Sequence, residues 1–157
     1  MKRVKKIVAL LTMVLVMTNI SMKADVVQAK SIDDSKLLET PSSTVSLEGI
    51  TRGKLLNRGT ASVTNNGGGS VNVYGAVIGS VVCDKMILEL TLQRYSNGSW
   101  INVKSFSNTA YNTSLLTKSY NVSVTKGYYY RVKAACVAQK NGASESQMPG
   151  TDGILIN

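Results

Sequence analysis

The sequence contains no histidine, and its 157 residues include only two cysteines, two prolines and one tryptophan. A structural zinc site needs about four thiolate or imidazole ligands, and this chain cannot supply them. A catalytic thiol normally works beside a base such as histidine, which is also missing. The sequence therefore predicts no metal, no cofactor and no thiol-based catalysis.

Carboxylates are scarce as well, with nine aspartates and glutamates in all. Asp84 and Glu89 are close in sequence, but they fall on opposite faces of a predicted strand and make a poor acid–base pair. The glycine cluster at residues 65–70 has no lysine and no helix after it, so a loop is expected there rather than a phosphate cradle. We expect a protein that is not an enzyme; hydrolysis by two carboxylates from separate loops is the alternative.

Residues 1–29 have the pattern of a secretory signal peptide. A positive start is followed by an uncharged apolar run, residues 7–20, and by small residues that favour cleavage after Ala29. The apolar run is shorter than the roughly 20 residues that a spanning helix needs, although an uncleaved anchor is the alternative. We expect an extracellular protein with no transmembrane segment in the mature chain.

The chain is basic, with a net charge of +9 over its full length. Cleavage after Ala29 would leave 13 basic and 8 acidic residues, a net charge of +5. These charges form no block of like sign. They fit either a weak attraction to an anionic cell envelope or ordinary solubility charge, and no nucleic acid partner is expected.

The remaining chain divides into two parts. Residues 30–44 are polar and lack a sustained period, which predicts a flexible N-terminal arm. Residues 45–157 alternate short β-branched and aromatic runs with turn sequences. This pattern is typical of an all-β, antiparallel sandwich or barrel, and we expect a β-sandwich of about seven strands. The predicted runs are 61–64, 71–78, 86–95, 100–106, 120–125 and 128–138.

Alternation assigns the faces of the last run. Tyr128, Tyr130, Val132, Ala134 and Cys136 share one face, which is predicted to be core. Tyr129, Arg131 and Lys133 share the opposite face, predicted to be solvent-exposed.

Cys83 and Cys136 are predicted to form a single disulfide, because exported proteins meet an oxidising environment. Closing a loop of about fifty residues would contribute about 3–4 kcal/mol in the chain-entropy model. Cys83 has the parity of the solvent face, so the bond would need a bulge at residues 84–85.

The C-terminal half resembles fibronectin type III domains, which are immunoglobulin-like β-sandwiches. Leu90–Val103 is similar to their strand C and its hairpin, Tyr120–Val124 to strand E, and Asn141–Ser146 to the turn before strand G. Tyr128-x-Tyr-Arg-Val-x-Ala134 is similar to strand F. The resemblance covers roughly residues 86–150 and extends to small secreted Gram-positive proteins of unknown function that carry this module.

The same resemblance places the start of strand C beside the end of strand F, which fits a bond between Cys83 and Cys136. Three features depart from the family: the disulfide itself, the lack of a tryptophan in residues 71–78, and the lack of a proline-rich first strand.

Two classes of function follow. The first is a secreted binding protein with a protein or glycan partner at a cell surface, whose candidate surface is Trp100, Tyr129, Arg131 and Lys133. Packing of Trp100 at the sandwich edge is the structural alternative. The second class is a bacteriocin-like or toxin-like effector that acts on cell envelopes.

Overall fold

A computed structural model describes residues 35–48 and 55–157. In this part of the chain 82% of the residues are in β-strands, which confirms the all-β prediction. The predicted signal peptide, its cleavage site after Ala29 and the first residues of the arm lie outside the described residues.

Eight strands form the fold in the described residues. They are β1 (Leu37–Leu38), β2 (Ser42–Glu48), β3 (Leu56–Gly67), β4 (Ser70–Ser96), β5 (Ser99–Ser123), β6 (Tyr128–Lys140), β7 (Ala143–Gln147) and β8 (Gly153–Ile156).

A long hairpin, β4–β5, dominates the fold. Its strands have 27 and 25 residues and meet at Asn97-Gly98, where both φ angles are positive, as a tight hairpin turn requires. The runs predicted as separate strands at 71–78 and 86–95 are thus one strand, and the polar segment 107–113, which lies between two predicted runs, is inside β5. Serine, threonine and asparagine in that stretch fit the solvent side of a strand as well as they fit a turn, so composition alone was misleading.

The strands form one sheet in the order β1-β8-β6-β4-β3-β2, with β5 also paired to β4 and β7 to β6. The first half of β4 pairs with β3, its second half pairs with β6, and the register with β5 shifts between Ile78 and Cys83. The sheet curls into a half-barrel that brings the two halves of β4 together. The predicted fibronectin- or immunoglobulin-like sandwich is therefore wrong, because one continuous sheet replaces two separate ones.

The core lies between the two halves of the curled sheet. A Cβ atom built on Gly75, in the first half, would lie 2.5 Å from Cδ2 of Leu90 in the second. One built on Gly59 would lie 3.0 Å from Sγ of Cys136. The small residues let the two halves approach closely, and fully buried Val63, Val73 and Leu88 fill the space between them.

Side chains of β7 hold the curl together on the β3 side. Glu145 Oε2 accepts hydrogen bonds from the backbone N–H groups of Leu55 (3.1 Å) and Leu56 (2.8 Å). Gln147 Oε1 accepts one from the N–H of Gly59 at 2.6 Å. These acceptors satisfy backbone donors where β3 and β7 have no ladder of their own.

Residues 35–44 differ from the expected arm. Leu37 and Leu38 pair in parallel with Gly153 and Ile154, and β2 pairs with β3 from Ser42 onwards. The segment lacks a hydrophobic period because its side chains cover sheet edges, where only alternate positions such as Ser43 are buried.

Candidate functional site

The two cysteines do not form the predicted disulfide. Both Cys83 and Cys136 are free and buried. Cys136 lies opposite Leu88 in the β4–β6 register, five residues along β4 from Cys83. That offset corresponds to roughly 16 Å along a strand, whereas a disulfide needs Cα atoms within about 7 Å. The predicted bond is wrong because strand position separates the two thiols.

Each thiol behaves as an apolar core group instead. Burial raises the pKa of Cys83, and burial raises the pKa of Cys136 from 9.0 to about 11. Sγ of Cys136 lies 3.5 Å from the carbonyl oxygen of Ala76, and Sγ of Cys83 lies 3.4 Å from that of Val81. Neutral thiols of this kind are poor nucleophiles.

Two residues of the predicted binding surface, Trp100 and Arg131, do lie together. The guanidinium carbon of Arg131 stands 4.3 Å from the centre of the Trp100 ring, a cation–π arrangement. Tyr95 also contacts Trp100, with the two ring centroids 5.1 Å apart. Behind the ring, Gly153 leaves room for the indole, since a Cβ there would lie 2.5 Å from Trp100 Cη2.

Arg131 is not a surface residue, because only 2% of it is exposed. Its Nε donates to Gln93 Oε1 at 2.8 Å and its Nη1 donates to Ser35 Oγ at 2.6 Å. The segment around Ser35 covers the face that alternation assigns to solvent. We call this cluster of Trp100, Arg131, Gly153 and β1 the closed side; its contacts make it structural.

The other two predicted surface residues lie nearby without forming a site. Tyr129 is half-buried and is paired with Leu155 of β8, and Lys133 is exposed with its stem beside Gly150. Tyr128, predicted to be core, is 37% exposed and lies under the guanidinium of Arg94 at 4.5 Å. Tyr128 is the first residue of β6, so its ring lies beyond the end of the core.

A different surface has the character of a binding site. On the outer side of β2, β3, β4 and β5, two adjacent rows of side chains run straight across the four strands. One row is Ser42, Thr64, Asn72 and Asn121; the other is Thr44, Ser62, Tyr74 and Ser119. All eight residues are exposed or half-buried and none is charged. We call them the hydroxyl–amide face.

Hydrogen bonds hold several of these side chains in place. Nδ2 of Asn72 donates to Ser119 Oγ at 2.8 Å and to Asn121 Oδ1 at 2.9 Å. Asn121 Oδ1 also accepts from Asn66 Nδ2 at 3.0 Å, and the hydroxyls of Thr44 and Ser62 are 2.7 Å apart. The face is thus ordered before any ligand arrives, which lowers the entropic cost of binding.

The dimensions of this face follow from sheet geometry. Four neighbouring strands span about 14 Å across the rows, and the two rows lie about 7 Å apart. Tyr74 is the one aromatic residue among the eight, and it lies next to Asn72 within β4.

Sequence reasoning missed this face although part of its signal is visible. Each of the four segments shows polar residues two apart, such as Asn72 and Tyr74 or Ser119 and Asn121. Only the register between strands, which the sequence does not reveal, aligns these pairs into rows.

Other kinds of site are absent from the part of the chain that is described. Residues 35–48 and 55–157 hold no group of three or more potential metal ligands. Within the same ranges, no helix has the length and apolar character to cross a membrane.

Comparisons with known proteins give one family and a distant structural likeness. No curated protein matches the sequence. Among solved structures, the chain is similar to Spo0M, a sporulation control protein from Bacillus subtilis, at 10% identity and a TM-score of 0.34. The match covers 75% of this chain and 51% of Spo0M, so the chain spans about half the length of that protein.

The family model DUF6147, described as a family of unknown function, matches residues 22–153. This assignment, with the curled single sheet, replaces the resemblance to fibronectin type III and immunoglobulin domains, which is wrong. The chain belongs to the DUF6147 family.

Proposed function

We propose that the protein is a secreted, non-enzymatic binding protein that attaches to uncharged carbohydrate at a cell surface. The hydroxyl–amide face carries this proposal: eight neutral, accessible side chains in two straight rows, ordered in part by their own hydrogen bonds. The expected secretion rests on the signal-peptide pattern of residues 1–29.

Carbohydrate suits the chemistry of this face. Hydroxyl groups both donate and accept hydrogen bonds, and carboxamides offer a donor and an acceptor side by side. Sugars present the same pairing of groups along their edges. The Tyr74 ring adds an apolar surface with a polar tip, on which the C–H face of a sugar can lie.

The lack of charge narrows the ligand class. Anionic partners are usually held by lysine and arginine, and the eight positions contain neither. Acidic residues that could hold a cationic partner are missing from them too. A neutral polymer with many hydroxyl groups is the class that these side chains match best.

Co-sedimentation with insoluble neutral polysaccharides, such as cellulose and chitin, tests the proposal. We expect the protein to be retained on at least one of them and Tyr74→Ala to lose about tenfold in affinity, equivalent to about 1.4 kcal/mol. Retention should persist in high salt, because no charged group takes part.

Tyr111→Ala is the matched control, since Tyr111 is a tyrosine of the same sheet, 66% exposed and outside the two rows. It should bind like the parent protein. No retention on any of the polysaccharides, or equal loss in the two variants, would refute the proposal.

A further inference from the structure

The free edge of β5 is a second surface with a different chemistry. We propose that the segment Lys104–Tyr111 accepts an extended, acidic segment of a partner protein, which adds to the sheet as a further strand. This surface does not depend on the hydroxyl–amide face or on its ligand.

β5 is an edge strand along its whole length. It pairs with β4 from Ser99 to Ser123 with short interruptions, and among the described residues no strand pairs with its other side. An unpaired edge presents a row of backbone N–H and C=O groups, which is the template that strand addition uses. Most natural edge strands are short, and this one contains neither proline nor glycine.

A regular stretch lies in the middle of this edge. From Lys104 to Tyr111 the pairing with β4 runs without interruption. On one side the register shifts at Leu92–Gln93, where Val103 is the extra residue, and on the other Asn112 has a φ of 49°. The stretch is eight residues long, close to the usual length of a strand.

The core is incomplete along β5. Four hydrophobic residues pack against the core while staying partly exposed, and all come from β5 or directly after it: Phe106, Ala110, Tyr120 and Val124. The rings of Phe106 and Tyr120 stack at 4.0 Å and are nearly parallel, which joins the two halves of the curl. Apolar residues at alternate positions of an added strand would cover this seam. We call the edge with the seam the open side.

Charge selects the kind of segment that fits. Lys104 and Lys118 are the only charged residues in β5. The ammonium group of Lys104 lies 5.4 Å from the centre of the Phe106 ring, at the start of the regular stretch. A carboxylate on the incoming strand would meet Lys104 there.

A second copy of this chain fits the edge less well. Its β5 would bring two more lysines and no carboxylate, and the chain is basic overall, at +9 in full and +5 after the expected cleavage. Pairing β5 with β5 would therefore gain no ion pair and would add like charges.

Binding of two short, capped synthetic peptides tests the proposal. In both peptides valine alternates with threonine, and the two end positions of the valine face are glutamate in one peptide and lysine in the other, because Lys104 and Phe106 lie on the same face of β5. Fluorescence anisotropy should show that the parent protein prefers the acidic peptide and that salt weakens this binding. Lys104→Glu should reverse the preference, with a change of about tenfold for each peptide, or about 1.4 kcal/mol.

Lys126→Glu is the matched control, because it makes the same change in net charge at an exposed position in the β5–β6 turn. It should keep the preference of the parent, and so should Tyr74→Ala, which separates this surface from the proposed carbohydrate site. The proposal is wrong if neither peptide binds or if Lys104→Glu leaves the preference unchanged. It is also wrong if sedimentation of the protein alone shows a dimer that Lys104→Glu abolishes, because the occupant would then be a second copy.

Discussion

The closed and the open side use aromatic residues and cations in opposite ways. On the closed side Arg131 is buried over Trp100, and β1 together with Ser35 covers the pair. On the open side Lys104 lies over Phe106, which is half-buried against Tyr120, and among the described residues no strand pairs with the outer edge of β5. A cation over an aromatic ring is structural where other groups of the chain accept its hydrogen bonds. Where they do not, the cation is available to a partner.

The contrast matters because the binding surface predicted from the sequence lies at the closed side. Trp100, Tyr129, Arg131 and Lys133 have the composition of a binding surface, and two of them close the fold instead. Phe106 and Lys104 lie in a segment without a recognisable motif, and they form the more accessible pair.

The largest expected effect is on the closed side. Arg131→Ala removes a buried cation with two charged-donor hydrogen bonds and its contact to Trp100. We expect the free energy of unfolding to fall by about 3 kcal/mol. Urea denaturation measures this loss. Lys133→Ala, two residues along the strand and exposed, should cost under about 1 kcal/mol; equal losses would contradict the structural role of Arg131.

Gly153→Ala tests the packing behind Trp100. The new methyl group would meet Cη2 of the indole at 2.5 Å, and overpacking of this kind costs about 1–3 kcal/mol. The matched control is Gly150→Ala, whose Cβ would lie 3.5 Å from Cγ of Lys133, an ordinary contact. Trp100→Phe should relieve part of the cost of Gly153→Ala in a double-mutant cycle; strict additivity would show that the two residues do not touch.

Phe106→Ala addresses the open side. A fully buried phenylalanine loses about 3–5 kcal/mol on truncation to alanine. Phe106 is only partly buried, so we expect about 1–2 kcal/mol. The same variant should weaken binding of the acidic peptide, because the seam with Tyr120 loses its ring. A loss in the fully buried range would mean that the open side is covered in the folded protein.

The free thiols give the smallest effect at neutral pH. A reducing agent should leave the melting temperature unchanged, since no disulfide is present. The pKa of Cys136 is raised in the folded state, from 9.0 to about 11, so the neutral thiol contributes stability that is complete below about pH 9. That contribution is lost as the pH rises towards 11. Comparing the stability of Cys136→Ala with the parent between these pH values measures it; parallel curves would contradict a raised pKa.

Much of the fold can be predicted from the sequence, but the register between the strands cannot. Alternation predicts Tyr130, Val132 and Cys136 in the core, where they are fully buried. The Asn97-Gly98 turn was also recognisable and has the positive φ angles expected of it. Side-chain alternation reports which face a residue occupies, and these positions lie on strands with one buried face.

Two predictions failed and one surface was missed for a common reason: all three depend on how residues that are distant in sequence are placed in the fold. The disulfide requires Cys83 and Cys136 to lie opposite each other on neighbouring strands, and the register offsets them by five residues. Arg131 was predicted to be exposed, but Ser35 and the neighbouring strand β1 cover it. No sequence pattern indicates a strand of only two residues. The hydroxyl–amide face exists only once four strands are aligned, although each contributes an unremarkable polar pair.

The most direct test of the account is a map of backbone amide shifts by NMR during titration with a soluble neutral oligosaccharide such as cellohexaose. The expected result is that the largest shifts fall on Asn72, Tyr74 and Asn121, with Trp100 and Tyr129 unaffected. Shifts concentrated at Trp100 and Tyr129, or none at any of these residues, would contradict the assignment of carbohydrate binding to the hydroxyl–amide face.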